Sequence, residues 1–231
     1  MTYHLRMVCF FEKGCKMLLS IAVDGPAGSG KSTVAKAVAD ALQITYLDTG
    51  AMYRMVTLNI IRESVDLEDI DCIQKLLDKI VIEFRTDGLY LNGENVTEEI
   101  RNNVVANAVS GVAAIGIVRA KMVAMQQEIA KGQSIIMDGR DIGTHVLVSA
   151  SHKFYLVASV EERAKRRLKD FLDQNIDISL KELIRDIQSR DDQDMNRDIS
   201  PLRQAEDAIL VDTTSMTINE VIDYIIQEVR S

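Results

Sequence analysis

Residues Gly25–Ser32 read GPAGSGKS and fit the pattern G-x-x-x-x-G-K-[ST] in full. Each residue type there has a chemical reason. Glycines let backbone N–H groups turn inward around phosphate oxygens, and a helix N-terminus behind them adds partial positive charge. Gly25, Pro26, Ala27, Gly28, Ser29 and Gly30 would form the cradle. Lys31 would reach the outer phosphates, and the Ser32 hydroxyl would bind Mg²⁺. A Gly-rich turn with a chance lysine is the plainer reading. It is disfavoured because an apolar run precedes the motif and helical spacing follows it. A nucleoside triphosphate is the expected ligand.

Such a loop does not name a reaction. The chain has no N-K-x-D and no D-x-x-G, which disfavours a guanine-nucleotide switch. It has arginines instead. An acceptor that carries its own phosphate needs extra cations, and the planar guanidinium binds phosphate through two donors. The first source is DTGAMYR (Asp48–Arg54), where Arg54 could equally be a surface charge. The second is MDGRDIGT (Met137–Thr144), where Arg140 and Asp141 follow an apolar strand. Asp138 ends the run SIIMD there and could support Mg²⁺ through water; a tight turn closed by Gly139 is the alternative. The third is SRDDQDMNRDISPLR (Ser189–Arg203). On a helix continuing from Leu180, Arg190, Asp194 and Arg197 fall within roughly 60° of one another. They continue the apolar stripe of Leu180, Leu183, Ile184 and Ile187, so they point inward, and charges there need partners. This geometry requires the helix to persist past Arg190.

The elements that must hold these residues alternate. LLSIAV is a short apolar run and reads as a buried strand, STVAKAVADALQ has helical spacing, and ITYLD reads as a second strand. A helix through AMYRMVTLNIIRES follows. IVIEFRTDGLYLNGENV (Ile80–Val96), with turns at Asp87-Gly88 and Asn92-Gly93, reads as an antiparallel meander. EEIRNNVVANAVSGVAAI and GIVRAKMVAMQQEIAKG read as helices, and SIIMDGRD as a strand running into a turn. HKFYLVAS is a further strand and VEERAKRRLKDFLDQN a basic amphipathic helix. Ser179 and Glu182 open the next helix with a capping box. AILVDTT and TINEVIDYIIQEV close the chain as strand and helix. The pattern predicts an α/β fold with a central parallel sheet flanked by helices, carrying the meander as an insert.

Composition narrows the class. The chain has 231 residues, 47% hydrophobic and 27% charged, enough for one domain with a sizeable core. Its net charge of −8 argues against non-specific nucleic-acid or anionic-membrane binding. Cys9, Cys15 and Cys72 match no zinc spacing, and His4, His145 and His152 are isolated. A reduced, cytoplasmic setting is expected. No apolar run approaches the roughly 18 residues of a membrane span. Residues 1–16 make a poor signal peptide. They are expected to lie outside the fold, as a disordered extension or an early start-codon assignment, with a single domain over 17–231.

The motifs IAVDGPAGSGKST, YLDTGAMYR, NNVVANAVSGVA, IVRAKM, IIMDGRDIGT, ASVEERAKRR and RDDQDMNRDISPL, in this order, resemble those of bacterial cytidylate kinases from about Leu18 to the C-terminus. The resemblance implies a nucleoside monophosphate kinase built on a P-loop core, with a monophosphate-binding insert (about 80–105) and a helical lid (about 163–200). It implies transfer from ATP to CMP or dCMP with Mg²⁺, by a monomer acting on small molecules, without nucleic acid or membrane. By the same resemblance Gly25–Thr33, with Thr33 as the last residue, hold ATP; Tyr53, Arg54 and Arg140 approach the CMP phosphate, and Ser110, Arg119 and Asp141 read cytosine. Arg190, Asp194 and Arg197 match lid positions, and Lys31, Arg140, Arg190 and Arg197 are the catalytic set. Arg163 or Arg166 could meet ATP. Without the resemblance, Ser110 reads as a packing serine. Departures are Gln193 and Met195 in a segment often richer in arginine, and HVLVSA (His145–Ala150) where relatives commonly have VVLPDA. The alternatives are a UMP or AMP kinase, or a non-catalytic P-loop protein. Ala51, where adenylate kinases usually have Asp, and the DGRD turn disfavour the adenylate group.

Overall fold

The computed structural model describes residues 18–173 and 178–231; the expected extension at 1–16 lies outside them. In chain order the elements are β1 (Ser20–Asp24), α1 (Lys31–Leu42), β2 (Thr45–Asp48), α2 (Thr49–Arg62) and α3 (Ile70–Lys79). Then come β3 (Ile82–Arg85), β4 (Gly88–Leu91), β5 (Glu94–Asn95), a 3₁₀ turn (Glu99–Arg101), α4 (Asn103–Ala114) and α5 (Gly116–Ala130). The second half holds β6 (Ile135–Gly139), a π-helical turn (Ile142–Val146), β7 (His152–Val157), α6 (Val160–Asp173), α7 (Leu180–Asn196), β8 (Ile209–Asp212) and α8 (Ile218–Arg230).

Five strands form a parallel sheet in the order β2-β6-β1-β7-β8. Of the three inner strands, β1 and β6 read as largely apolar runs because both faces are covered. Ala22, Ile135 and Met137 join the core under α2, α4 and α5, while Ile21, Val23 and Ile136 join the opposite core with α1 and α8. The alternation of strand side chains thus splits each strand between two cores. A third, small cluster of Ala164, Leu183 and Ile187 joins α6 to α7. No single described helix is long and apolar enough to cross a membrane; α4 and α5 reach that length only as a pair bent by 94°.

The meander forms as expected, a three-stranded antiparallel sheet. Asn92 and Gly93 both have positive φ (51° and 88°), which the tight turn between β4 and β5 requires. The capping box is present as read, with Ser179 and Glu182 each satisfying the other's backbone N–H.

Four local readings change. Helix α3 was not expected, although Asp69 caps it and Ile73 and Leu77 bury one stripe. The segment from Glu98 is no continuous helix. It makes a 3₁₀ turn, breaks at Asn102, and restarts as α4 with the Asn102 side chain accepting from the Val105 N–H. The turn after β6 is a π-helical turn. Helix α7 passes Arg190 as required but ends at Asn196, leaving Arg197 extended (φ −65°, ψ 143°).

Candidate active site

The C-terminal ends of the parallel strands converge, and there the chemistry-bearing residues collect. Strand β1 delivers the P-loop. Gly25 takes φ 147°, and a Cβ there would lie 2.0 Å from the Leu156 carbonyl oxygen, so the close pass over β7 demands glycine. Gly30 (φ 87°) turns the chain into α1. Lys31 opens that helix, buried, and its Nζ donates to the Pro26 carbonyl at 2.6 Å and to Ser29 Oγ at 3.3 Å. Burial, and then the charge of Arg140, hold its ammonium well below the usual lysine range.

Ser32 donates its hydroxyl to Asp138 Oδ2 at 2.7 Å, and Tyr46 donates to Oδ1 at 2.8 Å. Asp138 is buried at the end of β6; burial and the neighbouring Asp48 push its carboxyl up to about 6. The two oxygen groups assigned to Mg²⁺ are therefore adjacent. Tyr46, absent from the expected set, completes the triad; its burial and Asp138 push its phenol upward.

On the acceptor side, Arg119 of α5 pairs with Asp141, both side chains nearly dry (3% and 6% exposed). Arg119 also donates to the Ala113 carbonyl at 3.1 Å and lies 5.5 Å from the centre of the Tyr53 ring. Burial pushes the Tyr53 phenol up to about 12. Among the described residues the Tyr53 hydroxyl and Arg119 Nε have no hydrogen-bond partner. Arg197 lies 3.6 Å from Asp141 and donates to the Ser200 carbonyl at 2.6 Å. Ending the helix at Asn196 does not remove Arg197 from the cluster. Ser110 is half-buried on α4 with no hydrogen bond to the Arg119–Asp141 pair, and Arg54 is half-buried with no ion pair among the described residues.

Arg140 Nε donates to Asp194 Oδ2 at 2.8 Å, joining the turn after β6 to α7. Arg190 lies beside them. Burial and repulsion by Arg140 and Arg167 pull its guanidinium down to about 10, and its buried Nε has no hydrogen-bond partner among the described residues. Gln193 and Met195, the departures in this segment, are exposed.

Asp24, also outside the expected set, organises the turn. Its oxygens accept from the backbone N–H groups of Ile142 (2.8 Å) and Gly143 (2.7 Å), fixing the segment that begins with Arg140 and Asp141. Burial raises its carboxyl to about 6, although the two N–H groups oppose that shift. The expected ATP contacts Arg163 and Arg166 are engaged by protein: Arg163 with Ala27, Ala158 and Asp191, Arg166 with Glu162 and Thr213.

Two cationic regions, one at the P-loop and one around Arg190, thus lie within reach of the Arg140 charge. The family model described as Cytidylate kinase matches residues 21–231. A Bacillus pumilus protein named cytidylate kinase is 51% identical over 210 residues, covering 89% of this chain and 93% of its own. One from Clostridium botulinum (strain Langeland) is 46% identical over 207 residues, covering 90% and 95%. A crystal structure of an uncharacterized protein from Eubacterium ventriosum shares the fold, with a TM-score of 0.51 at 12% identity over 92% of this chain and 98% of that one.

Proposed function

The chain belongs to the cytidylate kinase family, and from that premise we propose how its residues phosphorylate CMP and dCMP at the expense of ATP. The observation that carries the reading is the place of Arg140: it donates to Asp194 on α7, and its charge adds to burial in destabilising the cations of Lys31 at the P-loop and Arg190 on α7. Crowded, partly dry cations are costly until anions arrive between them. Two phosphorylated ligands brought head to head would supply those anions.

The P-loop, Gly25–Thr33, holds the ATP phosphates. Lys31 exchanges its bonds to Pro26 and Ser29 for phosphate oxygens. Arg140, Arg190 and Arg197, with Tyr53 and Arg54, neutralise and orient the monophosphate. An oxygen of that phosphate, already anionic at neutral pH, attacks the γ-phosphorus in line. The bond from γ-phosphorus to the bridging oxygen breaks and ADP leaves, so no general base is needed. Catalysis comes from alignment and charge placement. The insert over about 80–105 belongs to the monophosphate side. The α6–α7 region (about 163–200) acts as a lid that excludes water on closing.

Asp141 accepts from the exocyclic amine of cytosine. Arg119 donates to the base carbonyl, for which its unpartnered Nε is a ready donor. Ser110 lines the same edge, and Asp194 takes a ribose hydroxyl. Mg²⁺ fits the Ser32–Asp138 corner. Both are oxygen donors, the carboxylate is strained by burial, and Mg²⁺ needs only one or two protein groups because phosphates and water complete its shell. Ser32 would hold the ion directly and Asp138 through water, and the bound ion would neutralise phosphate charge.

The test is ADP release measured across CMP, dCMP, UMP, AMP and GMP with Mg-ATP. CMP and dCMP should be the preferred acceptors. Activity with AMP or GMP alone would overturn the assignment.

A further inference from the structure

Asp191 and Arg163 take no part in the roles assigned above, yet they form a buried ion pair at 2.7 Å, with side chains 10% and 4% exposed. All three guanidinium nitrogens of Arg163 have protein partners. Nε donates to the Ala158 carbonyl at 3.0 Å and NH1 to the Ala27 carbonyl at 2.9 Å. The Arg163 side chain also backs the P-loop, since a Cβ added at Gly28 would come within 3.3 Å of Arg163 Cβ. One arginine of α6 therefore ties together the P-loop, the end of β7 and α7. The α7 carboxylate that reaches it directly follows Arg190 and lies three residues before Asp194.

A dry pair of this kind is a poor source of stability, because desolvating both charges offsets their attraction. Asp191 is not even fully satisfied: its Oδ1 has no hydrogen-bond partner among the described residues. What the pair does supply is register. The carboxylate sits where Arg190 and Asp194 are already committed to the acceptor side, and its partner grips a P-loop carbonyl on the donor side.

We propose that Asp191 and Arg163 are positioning residues that couple α7 to the P-loop, so that the segment bearing Arg190 and Asp194 is set against a loop oriented for the triphosphate. This rests on the reading of α6–α7 as the lid of the phosphotransferase. Arg163 thereby acts on ATP through the Ala27 carbonyl and not by direct contact.

The test uses Asp191→Asn, which keeps shape but removes charge, Arg163→Lys, and the double variant in the full-length protein. Mg-ATP binding is measured by calorimetry without acceptor, alongside steady-state kinetics. Replacing a charge-assisted hydrogen bond with a neutral one should weaken ATP binding about tenfold and also raise KM for CMP, because α7 carries Arg190 and Asp194. The double variant should bind ATP no more weakly than the worse single variant, since both remove one link. Wild-type ATP affinity in D191N, an unchanged KM for CMP, or additive losses would overturn the coupling. Loss of the native unfolding transition in D191N would also overturn it, leaving a purely structural pair. Calorimetry needs no acceptor, so its result stands even if the monophosphate panel fails.

Discussion

At the residue scale, Arg190 and Asp141 are opposite cases. Arg190 is a cation that the free protein tolerates poorly. Its Nε is buried without a hydrogen-bond partner, and burial with two neighbouring arginines lowers its affinity for a proton. Arg190→Met should therefore lower kcat by about 10²–10³-fold, as expected for removing one transition-state charge contact. Its unfolding midpoint should match or exceed that of the wild type. A large loss of thermal stability with normal turnover would contradict both parts. Asp141 serves the fold as well as its proposed role in reading the base. It neutralises the buried Arg119 and lies 3.6 Å from Arg197. Asp141→Ala should raise KM for CMP while leaving ATP affinity unchanged, and should also cost about 3 kcal/mol of stability by stranding a buried charge. Chemical denaturation beside kinetics checks both effects. The sequence made the first effect readable; the second needed the Arg119 contact. The same holds within Ser189–Arg203: spacing put Arg190, Asp194 and Arg197 on one side, whereas the partner of Asp191 became visible only in three dimensions. Asp192 and Asp198, from the same run, are exposed.

At the element scale, the segment after β6 matters most. Its residue types announced an anionic ligand, but its π-helical path did not follow from them. That path depends on Asp24, which reaches from β1 to two N–H groups 118 and 119 positions away. Asp24→Asn keeps one good acceptor and leaves a buried N–H poorly paired, at a cost of about 1–3 kcal/mol. Because the turn carries Arg140 and Asp141, KM for CMP should rise more than KM for ATP; equal rises would argue against this role. Elements defined by local chemistry were legible: the Asn92-Gly93 turn needs positive φ at both residues, and the Ser179–Glu182 box satisfies its own backbone. Helix α3 carried comparable signals in Asp69, Ile73 and Leu77 and went unread. The break at Asn102 was hidden because an asparagine inside an apolar stretch looks helical until its side chain is seen to cap.

At the scale of the whole molecule, Asp24 and Asp138 give the ligand-free protein a distinctive pH dependence. Both carboxyls are raised from 3.8 to about 6 by burial. Between these values the native state binds more protons than the unfolded chain. The stability they contribute is full below about pH 4 and is lost as pH rises through about 6. Exposed carboxylates such as Asp207 and Glu220 are shifted downward by hydrogen bonds, so they act in the opposite sense and only below their ordinary range. Unfolding measured from pH 4 to 7 without Mg²⁺ should show stability falling toward neutrality, and Asp24→Asn should flatten that slope. A flat wild-type profile would refute the linkage. By itself the sequence determined the phosphate loop, the α/β alternation, the antiparallel insert and the arginine-rich segments, because each is written in spacing over a few residues. Tertiary structure alone decided which of those residues meet. Tyr46 reaches Asp138, Asp24 holds the turn after β6, Arg119 neutralises Asp141 and Asp191 grips Arg163 because the order β2-β6-β1-β7-β8 brings five strand ends to one rim. Strand order is set by the packing of two cores against one sheet, and no local spacing encodes it.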